Sequence, residues 1–288
     1  MNYFKKFAKK IPLIVKLYRL YSKSEWEISK KILARKTELY IKDNKSLKQL
    51  HLQINNLNKL QLKNWTELVY CDGAFYQGYM RIGLFGIKPT EERLKHYQIS
   101  SLVSNESTIL DIGSNAGFIS LEMALISRQV TGIEYNPYLI KIGQKVADYL
   151  KINNVQFINC DFKEFSTTKK YDCVFSLSNH YTIDGGLNMT FEDYILKIYK
   201  MTNFSGFLFF ESHDINGADS DLEEKFSIAN KYFKLIKSKM ISAFHSPDID
   251  KLFVVLQRRD NYNLEEYKPS GFNLLKASKS YDFIHYNY

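Results

Sequence analysis

Proline and glycine are scarce, 5 and 13 among 288 residues, so the chain lacks the composition that keeps long segments unfolded. Cysteine is nearly missing as well: Cys71, Cys160 and Cys173 are odd in number and far apart, with no CxxC pair. That spacing excludes a disulfide framework and a zinc or dithiol site, and it suits free thiols in a reducing compartment. No uninterrupted apolar run approaches the roughly 18 residues of a membrane-spanning helix. Lysines also break the apolar stretch of residues 1–21, where a secretory signal needs a continuous block. The expected location is the cytoplasm. Acidic residues are depleted in one region only. Residues 1–63 hold 16 Lys and Arg against 4 Asp and Glu, a net +12, while the remainder holds 24 against 27, a net −3. The chain reads as a basic appendage on a nearly neutral body.

Hydrophobic residues are plentiful at 45%, with 21 Tyr and 20 Phe, enough to fill the core of one ordinary domain. Four segments follow: a basic helical extension (1–63), an aromatic lead-in or lid (64–101), an alternating body (102–262) and a C-terminal tail (263–288). Within residues 1–21, Phe4, Ala8, Ile11, Val15 and Tyr18 recur at helical spacing among lysines. Such a basic amphipathic helix suits the anionic inner face of a membrane, or it docks on its own domain with a solvated lysine face. In residues 24–63, Leu47, Leu50, Ile54 and Leu57 form a seam for the body or for a second protomer, which would make a homo-oligomer. The lead-in carries Tyr76, Tyr79 and Arg81. After them Thr90 is expected to cap a helix on which Arg93 faces inward.

From residue 108 strand and helix patterns alternate, with strands near 108–113, 129–135, 155–160, 171–178 and 205–211 and helices between them. This predicts an α/β fold with a mostly parallel sheet covered on both faces. Residues 232–241 and 250–259 are strand-like with only a loop between them, so they should pair antiparallel.

Thr108-Ile109-Leu110-Asp111-Ile112-Gly113-Ser114-Asn115-Ala116-Gly117-Phe118 is an apolar strand that ends in a carboxylate, a small-residue loop and a helix start. Gly113 permits a tight turn, Gly117 lets the helix begin close to a ligand, and Asn115 tolerates a left-handed conformation. A phosphate loop would carry a lysine, as in GxxxxGK[ST]; here Asp111 precedes the loop and no lysine follows. The carboxylate repels a pyrophosphate and suits a cationic ligand. Glu134 ends a second strand, 17 residues beyond Gly117, the position at which an acid meets ribose hydroxyls. Asp161, followed by Phe162, ends a third, placed to accept from an adenine amino group beside an aromatic ring. Three acids at consecutive strand ends, where open α/β sheets bind ligands, point to one adenosyl compound.

Over about Leu84–Arg259 the chain resembles the class I S-adenosylmethionine-dependent methyltransferase family. Of its D/E-x-G-x-G-x-G loop, Asp111, Gly113 and Gly117 match while Asn115 replaces the middle glycine, which leaves the branch open. The resemblance implies a Rossmann-like seven-stranded sheet with an antiparallel last strand and S-adenosylmethionine as cofactor. It further implies Glu134 at the ribose, Asp161 at the adenine, and Ser178 and Asn179 beside the methyl donor. As base for the acceptor, His180 comes first because an imidazole titrates near working pH; His213 and Glu211 follow. Tyr76, Tyr79, Arg81 and Arg93 are the candidate acceptor contacts. Glu211, His213 and Asp214 lack the spacing of a metal site, and none is expected. The family's Asn/Asp-Pro-Pro-Tyr signature for amino groups on nucleic acids is missing from Ser178-Asn179-His180-Tyr181. These features favour O-methylation of a sugar, glycan or other small polar acceptor in cell-surface polysaccharide assembly. An RNA (tRNA) methyltransferase, using the basic segment against phosphates, is the alternative; a non-catalytic scaffold is countered by the complete acidic set.

Overall fold

A computed structural model describes residues 12–67, 69, 75–180, 189–215, 221–243 and 246–260, with backbone alone for 12–26 and 242–250. In chain order the elements are α1 (Pro12–Ile41), α2 (Lys45–Asn64), β1 (Gln77–Gly78), β2 (Lys88–Pro89), α3 (Thr90–Tyr97), β3 (Thr108–Ile112), α4 (Phe118–Ala124), β4 (Gln129–Glu134), α5 (Pro137–Leu150), β5 (Val155–Asn159), β6 (Tyr171–Leu177), α6 (Phe191–Met201), β7 (Thr202–Glu211), α7 (Leu222–Ala229), β8 (Phe233–Ala243) and β9 (Ser246–Arg258). Residues 1–11 and 263–288, and with them half of the amphipathic stretch and the tail, lie outside the described residues. So do Cys71 and Tyr181.

Seven strands form one sheet in the order β5-β4-β3-β6-β7-β9-β8. The first five run parallel, and β9 lies antiparallel between β7 and β8, as the loop-joined terminal pair predicts. Parallel strands are buried on both faces, which is why they read as apolar runs without alternation. Their side chains still alternate in direction. Ile109 belongs to the core under α2, α4 and α5, whereas Leu110 and Ile112 belong to the core under α6 and α7. The chain leaves β3 toward β4 on one side and reaches β6 on the other, so a crevice opens at the carboxyl ends between them.

Helix starts follow local chemistry. Asn136 caps α5 by accepting from the Tyr138 amide at 3.0 Å, with Pro137 in the first turn; Thr190 caps α6 through the Asp193 amide at 3.1 Å. Thr90 does not cap α3, contrary to expectation. It is the first helical residue, after Pro89, and its hydroxyl donates to the Gly78 carbonyl at 2.8 Å, which ties α3 to β1.

The segment 24–63 is two helices rather than one, broken where Asn44 accepts from the Leu47 amide at 3.0 Å. Leu47, Leu50 and Ile54 are buried in the core cluster of the body, and α2 lies along α5. The seam is therefore used within the chain.

Candidate functional site

Gly113, Asn115 and Gly117 all adopt left-handed backbone, with φ of 66°, 54° and 73°. Gly113 lines the crevice, where a Cβ would come within 2.9 Å of the Asn179 Cβ. Gly117 serves a different purpose from the expected ligand approach. A Cβ there would lie 2.3 Å from the Phe157 ring, which fills the space under the turn. Phe118 likewise leaves the crevice: it is buried and stacks on Tyr79, ring centroids 5.1 Å apart.

Among the three acids, Glu134 and Asp161 line the crevice. Both oxygens of Glu134 are held by backbone: Oε2 accepts from the Asn115 amide and Oε1 from the Asn136 amide, each at 2.9 Å. The carboxylate thereby fixes the loop after β3 to the start of α5. Asp161 is exposed at the mouth and accepts from the Lys163 amide at 2.8 Å. Phe162 is buried edge-on to Tyr194, and it also lines the crevice. Asp111 stands behind this surface. Strand alternation turns it to the face of Ile109, where it accepts from the Ser120 hydroxyl at 2.6 Å. Burial raises its carboxyl to about 6, against the Ser120 hydrogen bond and the Arg93 charge.

At the end of β6, Ser178 and Asn179 line the crevice. Ser178 has φ 57°, a strained conformation for a residue other than glycine. Its amide donates to the Glu211 carbonyl at 2.9 Å, and its hydroxyl donates to Glu211 Oε1. Asn179 is clamped by the Ile112 carbonyl, Ser176 and Tyr194.

Of the lead-in candidates, Tyr76 and Arg93 line the crevice; Tyr79 and Arg81 do not. Tyr79 is spent on Phe118, and Arg81 forms an ion pair with Glu122 on the outer surface. Glu211 is also misplaced as a base. Its side chain is fully buried, with Lys251 Nζ at 3.1 Å, Arg93 at 3.6 Å and a hydrogen bond from the Tyr97 hydroxyl. Burial alone would raise its pKa, but the Lys251 and Arg93 charges outweigh that and hold the carboxyl well below the usual range. A carboxylate so stabilised is a poor proton acceptor. His180 packs against Phe191 and Tyr194, centroids 4.8 and 5.1 Å away, and neither it nor His213 is in the crevice wall.

Sequence reasoning missed Gln61, Gln77, Lys88, Tyr135 and Asn136, all of which line the crevice. Gln61 arrives from α2 and is buried; nearby, the Trp65 ring meets Tyr135 edge-on at 5.3 Å. Asn136, which follows Glu134 and precedes a proline, carried a readable signal as a helix cap.

These residues fit an adenosyl sulfonium compound. The crevice is open to solvent at its mouth and lined by both polar and apolar groups. It offers acids and amides at the ends of β4 and β5 and no lysine in the loop after β3. Gln77 Oε1, buried without a hydrogen-bond partner among the described residues, waits for a donor. No group of three or more His, Cys, Asp or Glu able to hold a metal occurs among the described residues.

A family profile described as a methyltransferase domain matches residues 103–268, more than half of the chain. An rRNA adenine N-6-methyltransferase of Bacteroides fragilis is 34% identical over 67 residues, 23% of this chain and 24% of that one. A release factor glutamine methyltransferase of Aliivibrio fischeri is 32% identical over 101 residues, 34% of this chain and 35% of that one. The chain thus spans about a quarter to a third of the length of these curated relatives. The N-methyltransferase NodS from Bradyrhizobium japonicum WM9, solved with S-adenosyl-L-homocysteine, superposes with a TM-score of 0.52 at 17% identity. That superposition covers 72% of this chain and 100% of the other, and it shows a shared fold. The chain belongs to the methyltransferase-domain family.

Proposed function

We propose that the protein methylates an oxygen of a small polar acceptor, a sugar of a cell-surface glycan being the reading we favour. The observation that carries this is the wall at the ends of β6 and β7. Tyr76, Gln77, Lys88, Ser178 and Asn179 line the crevice, so the acceptor meets hydroxyl, amide and ammonium groups, with Ser178 and Asn179 held by hydrogen bonds from Lys251 and Ser176. S-adenosylmethionine, when bound, supplies the electrophilic methyl group. Glu134 holds the ribose hydroxyls, Asp161 and Phe162 the adenine, and Ser178 and Asn179 the methyl-donor side. His180 follows Asn179 in the chain but lies outside the crevice wall, as does His213, so neither is assigned the acceptor proton.

The Bacteroides relative methylates nitrogen, as its name states, but Ser178-Asn179-His180-Tyr181 lacks the prolines that resemblance ties to such acceptors. RNA is the second reading, favoured by the net +12 of residues 1–63. Incubating lysate fractions with radiolabelled S-adenosylmethionine separates the two. Label in a glycan or small polar fraction is expected, and label confined to RNA overturns the proposal. Sedimentation with anionic liposomes tests whether residues 1–21 bring the enzyme to the inner membrane face.

A further inference from the structure

The Gln77 side chain is 8% exposed and lines the crevice, yet its Oε1 is buried without a hydrogen-bond partner among the described residues. An unbonded amide oxygen is costly to bury, so its partner is to be sought in what the crevice holds. Backbone contacts keep the residue in place. Gln77 pairs with Lys88 across β1 and β2, and the Thr90 hydroxyl holds the next carbonyl, at Gly78, at 2.8 Å. A Cβ at Gly86 would lie 2.4 Å from the Gln77 carbonyl carbon. Asn115 belongs to the same part of the wall. Both residues line the crevice and the smaller pocket that continues from it under α2, among Ile54, Leu84 and Phe118. Asn115 Oδ1 is spent on the Ala116 amide at 2.9 Å, which leaves its NH2 group without a hydrogen bond among the described residues. The wall there presents one acceptor and one donor, and the donor stands where the family's loop has glycine.

A sulfonium methyl donor has three arms. With the adenosyl arm at Glu134 and Asp161 and the methyl group toward Ser178 and Asn179, the α-amino-acid arm is left. The loop after β3 lies between those two ends of the crevice. An ammonium only donates, and a carboxylate only accepts. We infer that Gln77 and Asn115 clasp this arm, the Gln77 oxygen accepting from its ammonium and the Asn115 NH2 donating to its carboxylate. The inference rests on the reading that the crevice binds S-adenosylmethionine. It gives the donor an amide that otherwise stands open to the acceptor, and it gives β1 of the lead-in a share in holding the cofactor.

The test compares two ligands on the full chain by calorimetry: S-adenosyl-L-homocysteine, which carries the arm, and 5′-methylthioadenosine, which lacks it. Gln77→Leu is expected to weaken the first about tenfold and the second by less than about twofold. Asn115→Gly, which keeps the left-handed turn, should show the same selectivity. Because the Gln77 oxygen is unbonded in the ligand-free chain, the ligand-free unfolding midpoint of Gln77→Leu should equal or exceed that of wild type. An unchanged affinity for S-adenosyl-L-homocysteine in Gln77→Leu overturns the inference and leaves the amide to the acceptor. Equal losses for both ligands overturn it too, as does a lower ligand-free midpoint, which would give the amide a structural role. The underlying reading fails separately: a wild-type chain that binds neither ligand has no adenosyl site.

Discussion

At the β4–β5 end of the crevice the carboxylates are fixed by backbone amides, two at Glu134 and one at Asp161. At the β6–β7 end the carboxylate of Glu211 is fixed by side-chain cations and hydroxyls. Amide donors come with the fold and leave a carboxylate's other lone pairs for a ligand. Side-chain donors must themselves be buried, so each depends on its partner. The first end is built to be reached by a ligand, and the second to hold its own geometry. Substitutions should therefore damage binding at one and folding at the other.

The largest effect is expected at Glu211. Glu211→Gln leaves Arg93 and Lys251 buried without their counter-charge and should cost about 3–5 kcal/mol of unfolding free energy, read by urea titration at pH 7. A cost below about 1 kcal/mol would erase the contrast between the two ends. Because the folded carboxyl is depressed, its contribution is complete above the ordinary value of 4.5 and is lost as pH falls through the folded value. The gap between wild type and variant should accordingly narrow only below pH 4.5.

Asp111 gives the opposite sign. Its folded carboxyl is raised from 3.8 to about 6, so its ionisation in the fold costs about 3 kcal/mol above pH 6. Asp111→Asn should be more stable than wild type at pH 7.5 and converge with it near pH 4. A variant less stable at both values would show that the Ser120 contact outweighs the burial penalty.

Gly117→Ala should cost about 2 kcal/mol, from the left-handed backbone and the Phe157 ring together. Pairing it with Phe157→Leu should recover part of that loss in a double-mutant cycle; strict additivity would remove the ring from the account. The smallest effect is at Glu134. Glu134→Gln should weaken S-adenosyl-L-homocysteine about tenfold by calorimetry, roughly 1.4 kcal/mol, and shift the cofactor-free unfolding midpoint by only a few degrees. A fall in stability as large as that of Glu211→Gln would break the comparison.

The sheet was legible because buried parallel strands are continuous apolar runs, and because the final two strand patterns had only a loop between them. Asn115, Glu134 and Asp161 were legible for a local reason: each sits at a strand end or in a tight turn, where neighbours in sequence decide position. Asp111 was read correctly in place but not in direction, because a strand residue one position along faces the other layer. Gln61, Lys88 and Lys251 had no local signal. Gln61 and Lys88 reach the crevice wall from α2 and β2, and Lys251 reaches Ser178 from β9, so only tertiary packing brings them there. In the lead-in, aromatic and cationic composition without periodicity could not separate Tyr76 and Arg93, which line the crevice, from Tyr79 and Arg81, which do not.

Gln61 in the crevice wall and Trp65 against Tyr135 tie the N-terminal helices to the crevice. Occupancy and docking of that helical pair are then linked equilibria: whatever tightens one must tighten the other by the same free energy. Shortening the chain from its basic end into α2 would thus lower affinity for the methyl donor although every loop residue stays in place. On this reading α2 and the crevice behave as one cooperative unit.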